Sequence, residues 1–121
     1  MISTVTRRIF SVFFTKCGIE TMAPSEEELS VLTLCDLADV LRSGKISAAE
    51  TMKTTLARIE RLNPHLNAFI WRDGKRAMAR AEEADAARLR GDELGPLHGV
   101  PLAHKDMFYR PGRPSSCGSI I

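Results

Sequence analysis

The chain has 121 residues, of which 44% are hydrophobic and 26% charged, so a wholly disordered or fibrous protein is excluded. Its 17 basic and 15 acidic residues give a net charge of +2, which is too balanced for a dedicated nucleic-acid-binding protein. No apolar run approaches the roughly 18 residues that a membrane-spanning helix needs, so we expect neither a nucleic acid nor a membrane as a partner.

The first 21 residues differ in composition from the rest of the chain. Residues 1–19 contain Arg7, Arg8 and Lys16 and no acidic residue, which is typical of an organelle transit peptide. A start assigned too far upstream of Met22 and a folded N-terminal segment are the alternatives. We expect residues 1–21 to be a non-core extension of a cytoplasmic protein, or of a mitochondrial one if they are a transit peptide.

A capping box opens the first predicted helix. Thr33 is a good N-cap, and Asp36, three residues later, supplies the reciprocal carboxylate. Apolar residues follow at helical spacing, and Gly44 suits the left-handed conformation that ends many helices. The pattern predicts a helix over residues 33–43.

A second capping box begins at Ser47 and closes at Glu50. Apolar residues then recur on one face of a helix, with charged residues on the other faces. A residue that precedes proline avoids helical backbone, so Pro64 indicates a stop. The second predicted helix spans residues 47–62.

A strand is predicted over residues 66–71. Their sequence, LNAFIW, is short and aromatic and has a preference for β-structure, and an Asp-Gly pair follows as a breaker. A second short apolar run, over residues 100–103, is read as another strand. It lies in a segment rich in glycine and proline, where we expect turns.

A third helix is predicted over residues 75–90, because alanine, the best helix former, recurs there. Three of the alanines form a narrow stripe of small residues that allows close approach of another element. On the exposed side we predict two ion pairs with a spacing of three residues, Arg80–Glu83 and Asp85–Arg88.

Lys105 is the strongest candidate for chemistry. It follows the apolar run at residues 100–103 and precedes an acidic residue. A lysine at the end of a buried strand is desolvated, which favours the neutral amine that acts as a base. The alternative is a solvated or ion-paired lysine with no catalytic role.

The other residue types that carry chemistry are scattered along the chain. The histidines are His65, His98 and His104, and the cysteines are Cys17, Cys35 and Cys117. Their spacing predicts no metal site, no cofactor and no disulfide framework, and it fits a reducing compartment. Three serines lie near the end of the chain without a nucleophile-elbow motif, and we read them as loop residues: Ser115, Ser116 and Ser119.

Several segments together resemble the N-terminal part of the amidase signature family, which includes bacterial amidases and the A subunit of glutamyl-tRNA amidotransferase. They are the two capped helices with the segment NPHLNAF, the segment GPLHGVPLAHKDMF, and the segment RPSSCGS. The resemblance covers residues 30–119. Its most specific piece is the pattern G-P-L-x-G-V-P-L-x-x-K-D over residues 95–106.

The resemblance implies an α/β fold, of which this chain is the N-terminal piece, with capped helices plus one or two strands of a large mixed sheet. It also implies hydrolysis of amide C–N bonds by a lysine, a serine on a cis peptide bond and a nucleophilic serine. Lys105 matches the lysine. Both serines belong to a later segment of the G-G-S-S-G-G-S type, whereas the three serines near the end of this chain match an earlier T-[ST]-x-G-S stretch. His104 departs from the aliphatic residue that the family commonly has there.

We therefore expect residues 22–121 to be a truncated N-terminal part of an amidase domain, incomplete and inactive on its own. The apolar final pair, Ile120 and Ile121, is consistent with a chain cut within its fold. Full-length relatives are expected to act on a small-molecule amide. Two alternatives stay open: a non-enzymatic helical module that docks on a partner chain, and an enzyme completed by a second chain that carries the serines.

Overall fold

The computed structural model describes residues 25–109, 111–112 and 115–119, and the predicted extension over residues 1–21 lies outside these ranges. Four helices follow one another within them: α1 (Glu26–Ser30), α2 (Leu34–Arg42), α3 (Ala48–Leu66) and α4 (Gly74–Arg90). None of these four is both long and apolar enough to cross a membrane.

The expected α/β fold is wrong for the described residues, because they form helices and loops and no strand. In the first predicted strand, residues 66–71, Ile70 and Trp71 are 72% and 54% exposed. The second predicted strand, residues 100–103, is also a loop. A strand requires a neighbour that pairs with its N–H and C=O groups, and the described residues supply none.

The predicted N-caps of α2 and α3 are confirmed. The Thr33 hydroxyl accepts a hydrogen bond from the Asp36 N–H at 3.2 Å, and the Ser47 hydroxyl accepts one from the Glu50 N–H at 3.0 Å. Each carboxylate accepts from the N–H of its capping residue in return. Gly44 follows α2 with a φ of 71°, as predicted for a left-handed helix end.

The predicted end of α3 at residue 62 is wrong, because the helix continues to Leu66 with Pro64 inside its last turn. Asn63 stabilises this ending. Its carbonyl accepts from the Asn67 N–H at 2.8 Å. Its side-chain Nδ2 donates to the Phe69 carbonyl at 3.1 Å, and its Oδ1 accepts from the Phe69 N–H at 2.8 Å. These bonds offset the cost of helical backbone before a proline.

Helix α1 has no counterpart among the predicted helices, although its capping box is visible in the sequence as Ser25 and Glu28. The helix packs against α3. The Glu26 carboxylate lies 3.4 Å from the Arg58 Nε and also pairs with Arg61. All three side chains are about a third or more exposed, so these ion pairs stabilise the contact only weakly.

The core is small and lies where α2, α3 and α4 meet. Leu41, Ala48 and Ala81 are buried there, and Met52 and Val100 are among the partly buried residues that pack against them. The predicted helix over residues 75–90 is confirmed, and its small-residue stripe lies in this contact with α3. The predicted ion pair on the exposed side of α4 also forms, between Arg80 and Glu83 at 2.8 Å.

Candidate active site

The loop after α4 is anchored to two helices. The His98 Nε2 lies 2.8 Å from the Ala84 carbonyl oxygen on α4, and the Arg42 Nη2 donates to the Pro96 carbonyl at 3.2 Å. A carbonyl oxygen only accepts, so the His98 Nε2 carries a proton in this contact. The segment that leads to the candidate lysine therefore begins from a fixed position on the helical core.

The N-terminus of α3 lies beside this loop. The Asp85 carboxylate accepts hydrogen bonds from the N–H groups of Ala48 at 2.8 Å and Ala49 at 3.0 Å. The predicted Asp85–Arg88 ion pair is wrong, because Asp85 makes these bonds instead. A carboxylate at this position complements the positive end of the helix. Gly99 packs so close that a Cβ on it would lie 3.0 Å from the Ala48 Cβ.

Lys105 follows the loop that replaces the second predicted strand, a run that is partly buried at residues 100–101 and exposed at residues 102–103. Its side chain is exposed, and its carbonyl oxygen accepts a hydrogen bond from the Phe108 N–H at 3.0 Å in a tight turn. The burial expected for a lysine on a buried strand is absent here, since the described residues place no second layer over it. Its role as a base stays a prediction.

Two of the loop serines hold the residue that follows Lys105. The Ser116 hydroxyl donates to the Asp106 carboxylate at 2.7 Å, and the Ser115 hydroxyl donates to the Asp106 carbonyl oxygen. The Ser119 N–H closes a second turn on the Ser116 carbonyl at 2.8 Å. The Ser116 hydroxyl is the main cause that lowers the pKa of Asp106 below its ordinary value of 3.8, because it stabilises the ionised carboxylate.

Sequence reasoning missed this Asp106–Ser116 contact. The two residues are ten positions apart, and no periodic pattern connects them. The adjacency of Asp106 to the candidate lysine was the one available signal.

Of the remaining candidates, Cys117 lies at this contact, where its backbone hydrogen bond to Asp106 also lowers the pKa of that carboxyl. His65 and His104 are exposed, and so are the free cysteines Cys35 and Cys117, while Cys17 lies outside the described residues. In the part of the chain that the structure describes, no three His, Cys, Asp or Glu side chains come together as metal ligands. A shallow apolar hollow near Ile59 on α3 has a single ionisable lining residue, Arg58.

Comparisons with known proteins give consistent matches. A family model described as Amidase matches residues 50–121. AmiD, a Mycobacterium tuberculosis protein named as an amidase, is 40% identical over 96 residues, which cover 79% of this chain and 20% of AmiD. The A subunit of the glutamyl-tRNA(Gln) amidotransferase of Halorhodospira halophila is 45% identical over 87 residues, 72% of this chain and 18% of the relative. The corresponding protein of Alkalilimnicola ehrlichii is 46% identical over 87 residues, again 72% of this chain and 18% of the relative.

No solved structure matches the chain. The chain spans 18–20% of the length of these curated relatives.

Proposed function

This chain belongs to the amidase family, and we propose that it carries the lysine base of an enzyme that breaks the C–N bond of a linear amide. The observation that supports the proposal is the position of Lys105 inside the matched residues. Its side chain is exposed, while the next residue, Asp106, is held by Ser115 and Ser116. An exposed amine on an anchored turn is accessible to a hydroxyl from another part of an enzyme.

In the proposed reaction, the rest of the enzyme covers Lys105 and desolvates its amine. The neutral amine then takes a proton from a bridging serine hydroxyl, which takes one from a nucleophilic serine. The nucleophilic oxygen attacks the amide carbonyl carbon, and the C–N bond breaks as the leaving nitrogen accepts the proton. Ammonia or an amine departs. Water then hydrolyses the acyl-enzyme ester to the carboxylic acid, and backbone N–H groups stabilise the oxyanion in both steps.

We also propose that the 121 residues alone do not catalyse this reaction. They contain no Gly/Ser-rich segment of the type to which the resemblance assigns both serines. A base without a nucleophile and an oxyanion hole gives little rate acceleration.

A second candidate function is transfer of the amide nitrogen to another acceptor instead of to water. It is favoured by the relatives at 45% and 46% identity, which are named as subunits of an amidotransferase. In that case the protein that contains this chain works with further subunits, and an acceptor replaces water at the acyl-enzyme or captures the released ammonia.

The test compares the protein as its own cells make it with the recombinant 121-residue chain. The cellular protein is captured with an antibody against residues 47–62, its intact mass is measured, and ammonia release from benzamide is assayed. Lys105→Ala is introduced at the genomic locus, and Lys75→Ala, a change of another exposed lysine outside the antibody epitope, is the matched control.

We expect a mass well above 13.4 kDa and activity that Lys105→Ala lowers by about a thousandfold or more, whereas Lys75→Ala leaves it unchanged. Activity that survives Lys105→Ala would refute the role of the lysine. Turnover by the pure 121-residue chain would refute its predicted inactivity. A mass near 13.4 kDa without activity would favour the helical interaction module, and co-purified subunits would favour the transfer reaction.

A further inference from the structure

The hydroxyl of Ser116 holds a residue ten positions earlier in the chain. It donates a hydrogen bond of 2.7 Å to the Asp106 carboxylate, while the adjacent Ser115 hydroxyl donates to the Asp106 carbonyl oxygen. Asp106 is therefore held through both its side chain and its main chain. The two serines and Asp106 are partly buried, whereas Lys105 next to them is exposed.

These contacts restrict the backbone that presents Lys105. The Lys105 carbonyl accepts from the Phe108 N–H at 3.0 Å, so the lysine is the first residue of this turn and Asp106 is the second. A lysine side chain has a flexible four-carbon stem. If its backbone also moved, the amine would spend little time at any one point in space. Holding Asp106 fixes the direction in which the lysine stem leaves the chain.

We propose that Ser116 is a positioning residue for Lys105, because its hydroxyl holds the Asp106 carboxylate and thereby the turn that carries the lysine. The inference rests on the proposed function of Lys105. Ser116 acts through Asp106 and does not touch the reacting atoms in this scheme. A hydroxyl that donates to an ionised carboxylate makes a charge-assisted bond, which is stronger than a bond between neutral groups.

The first test measures steady-state kinetics with the captured cellular protein and benzamide. Ser116→Ala is expected to lower kcat by about tenfold to a hundredfold with little change in KM, because a misplaced base affects the chemical step more than substrate binding. Ser116→Thr keeps the hydroxyl and is expected to restore kcat to within about threefold of the unchanged protein. Ser30→Ala, a change of an exposed serine on α1, is the matched control and should leave kcat unchanged.

The second test measures hydrogen exchange of the Phe108 amide, which donates to the Lys105 carbonyl. If Ser116 holds the turn, Ser116→Ala opens it and exchange becomes several-fold faster. Ser116→Thr and Ser30→Ala should leave the exchange rate unchanged. Lys105→Ala should also leave it unchanged, since the lysine contributes only its backbone to the hydrogen bond. This readout does not depend on catalysis.

The inference is supported if Ser116→Ala lowers kcat and accelerates Phe108 exchange while Ser116→Thr does neither. It is overturned if kcat or exchange is unaffected by Ser116→Ala, or if the alanine and threonine variants lose kcat equally. If Ser116→Ala fails to fold, Asp106→Asn weakens the same bond without removing it, and a loss in kcat of about threefold to tenfold is then expected. No loss in that variant would overturn the inference.

The activities of the Lys105→Ala and Ser116→Ala variants distinguish failure of the proposed function from failure of this inference. If Lys105→Ala keeps full activity, the base itself is wrong and no base remains for Ser116 to position. If Lys105→Ala abolishes activity and Ser116→Ala does not change it, the proposed function stands and only the positioning role is overturned.

Discussion

The side chain of Asp85, on α4, lies at the N-terminus of α3, where its carboxylate accepts hydrogen bonds from the N–H of Ala48 at 2.8 Å and from the next amide at 3.0 Å. The Ser47 hydroxyl accepts a hydrogen bond from the third N–H of the helix, that of Glu50. Side chains thus satisfy the first three N–H groups of α3, which have no partners within the helix. One helix therefore contributes directly to the start of the other.

Removing the Asp85 carboxylate is expected to destabilise the fold. Asp85→Ala should lower the free energy of unfolding by about 2 kcal/mol, since it removes two charge-assisted bonds at a partly buried helix end. Asp85→Asn keeps one acceptor and should cost about 1 kcal/mol. Urea unfolding followed by circular dichroism measures both. Glu82→Ala, at an exposed position on the same helix, is the control, and an equal loss there would contradict the capping role.

Comparing alanine substitutions at Gly99 and Gly91 distinguishes the cost of backbone strain from the cost of a steric contact. Both glycines have a φ of 77°, so the backbone strain is the same at the two positions. Alanine at either position costs about 1 kcal/mol of left-handed strain. A Cβ on Gly99 would also lie 3.0 Å from the Ala48 Cβ, whereas one on Gly91 has no neighbour within 4 Å. Gly99→Ala should therefore lose about 1 kcal/mol more in unfolding free energy than Gly91→Ala.

A double-mutant cycle tests whether the contact with Ala48 causes the larger loss of unfolding free energy in Gly99→Ala. Ala48→Gly removes the methyl group that the new Cβ would meet, so Gly99→Ala should cost no more than Gly91→Ala in this background. An excess that persists after Ala48→Gly would show that the contact is not its cause.

Gly74 offers a substitution that should stabilise the protein. It is the first residue of α4, and a Cβ on it would lie 3.7 Å from the Leu56 Cδ1, an ordinary contact distance. Gly74→Ala should raise the free energy of unfolding by about 0.5 kcal/mol, because alanine reduces the freedom of the unfolded chain and favours helix. The melting temperature measures the change. A lower melting temperature would mean that this position requires glycine.

The Asp106–Ser116 contact predicts a pH dependence. The pKa of Asp106 is lowered below its ordinary value of 3.8, chiefly by the Ser116 hydroxyl. Asp106 therefore stabilises the folded chain above that value, and the contribution is lost as the pH falls through the lower folded pKa. Ser116→Ala should raise the pKa of Asp106 toward 3.8, as measured by NMR titration of its carboxyl carbon. An unchanged titration midpoint would show that Ser116 is not the cause.

Helices α2, α3 and α4 were predictable because their signals are local, and the same kind of signal at Ser25 and Glu28 was overlooked for α1. A capping box joins residues three positions apart, so the sequence itself contains both partners of each bond. Pro64 misled the prediction, since the usual rule for the residue before a proline does not include the compensating bonds of Asn63. The two strand predictions are wrong for a related reason. Composition indicates that a segment suits a strand, but pairing depends on a neighbour that the segment does not specify.

In the candidate site, too, the local signal was visible in the sequence and the contacts between distant residues were not. Lys105 was found through a motif in consecutive residues, and its chemistry remains a prediction. The contacts of Asp85 span 37 and 36 residues and the Asp106–Ser116 contact spans ten. Neither has a helical or strand period that would bring the partners together, and Arg88 was the more evident local partner for Asp85. Such bonds follow from tertiary packing, which the sequence pattern does not specify.

The Asn63 amide group affects how the exposed segment after α3 behaves toward other chains. Its donor and acceptor occupy both backbone groups of Phe69, as a peptide group of an adjacent strand would. An apolar segment with free backbone groups is a template for intermolecular β-pairing and aggregation. Because the N–H and C=O groups of Phe69 are already bonded to Asn63, a second copy of the chain cannot form a continuous row of β-type hydrogen bonds with this segment.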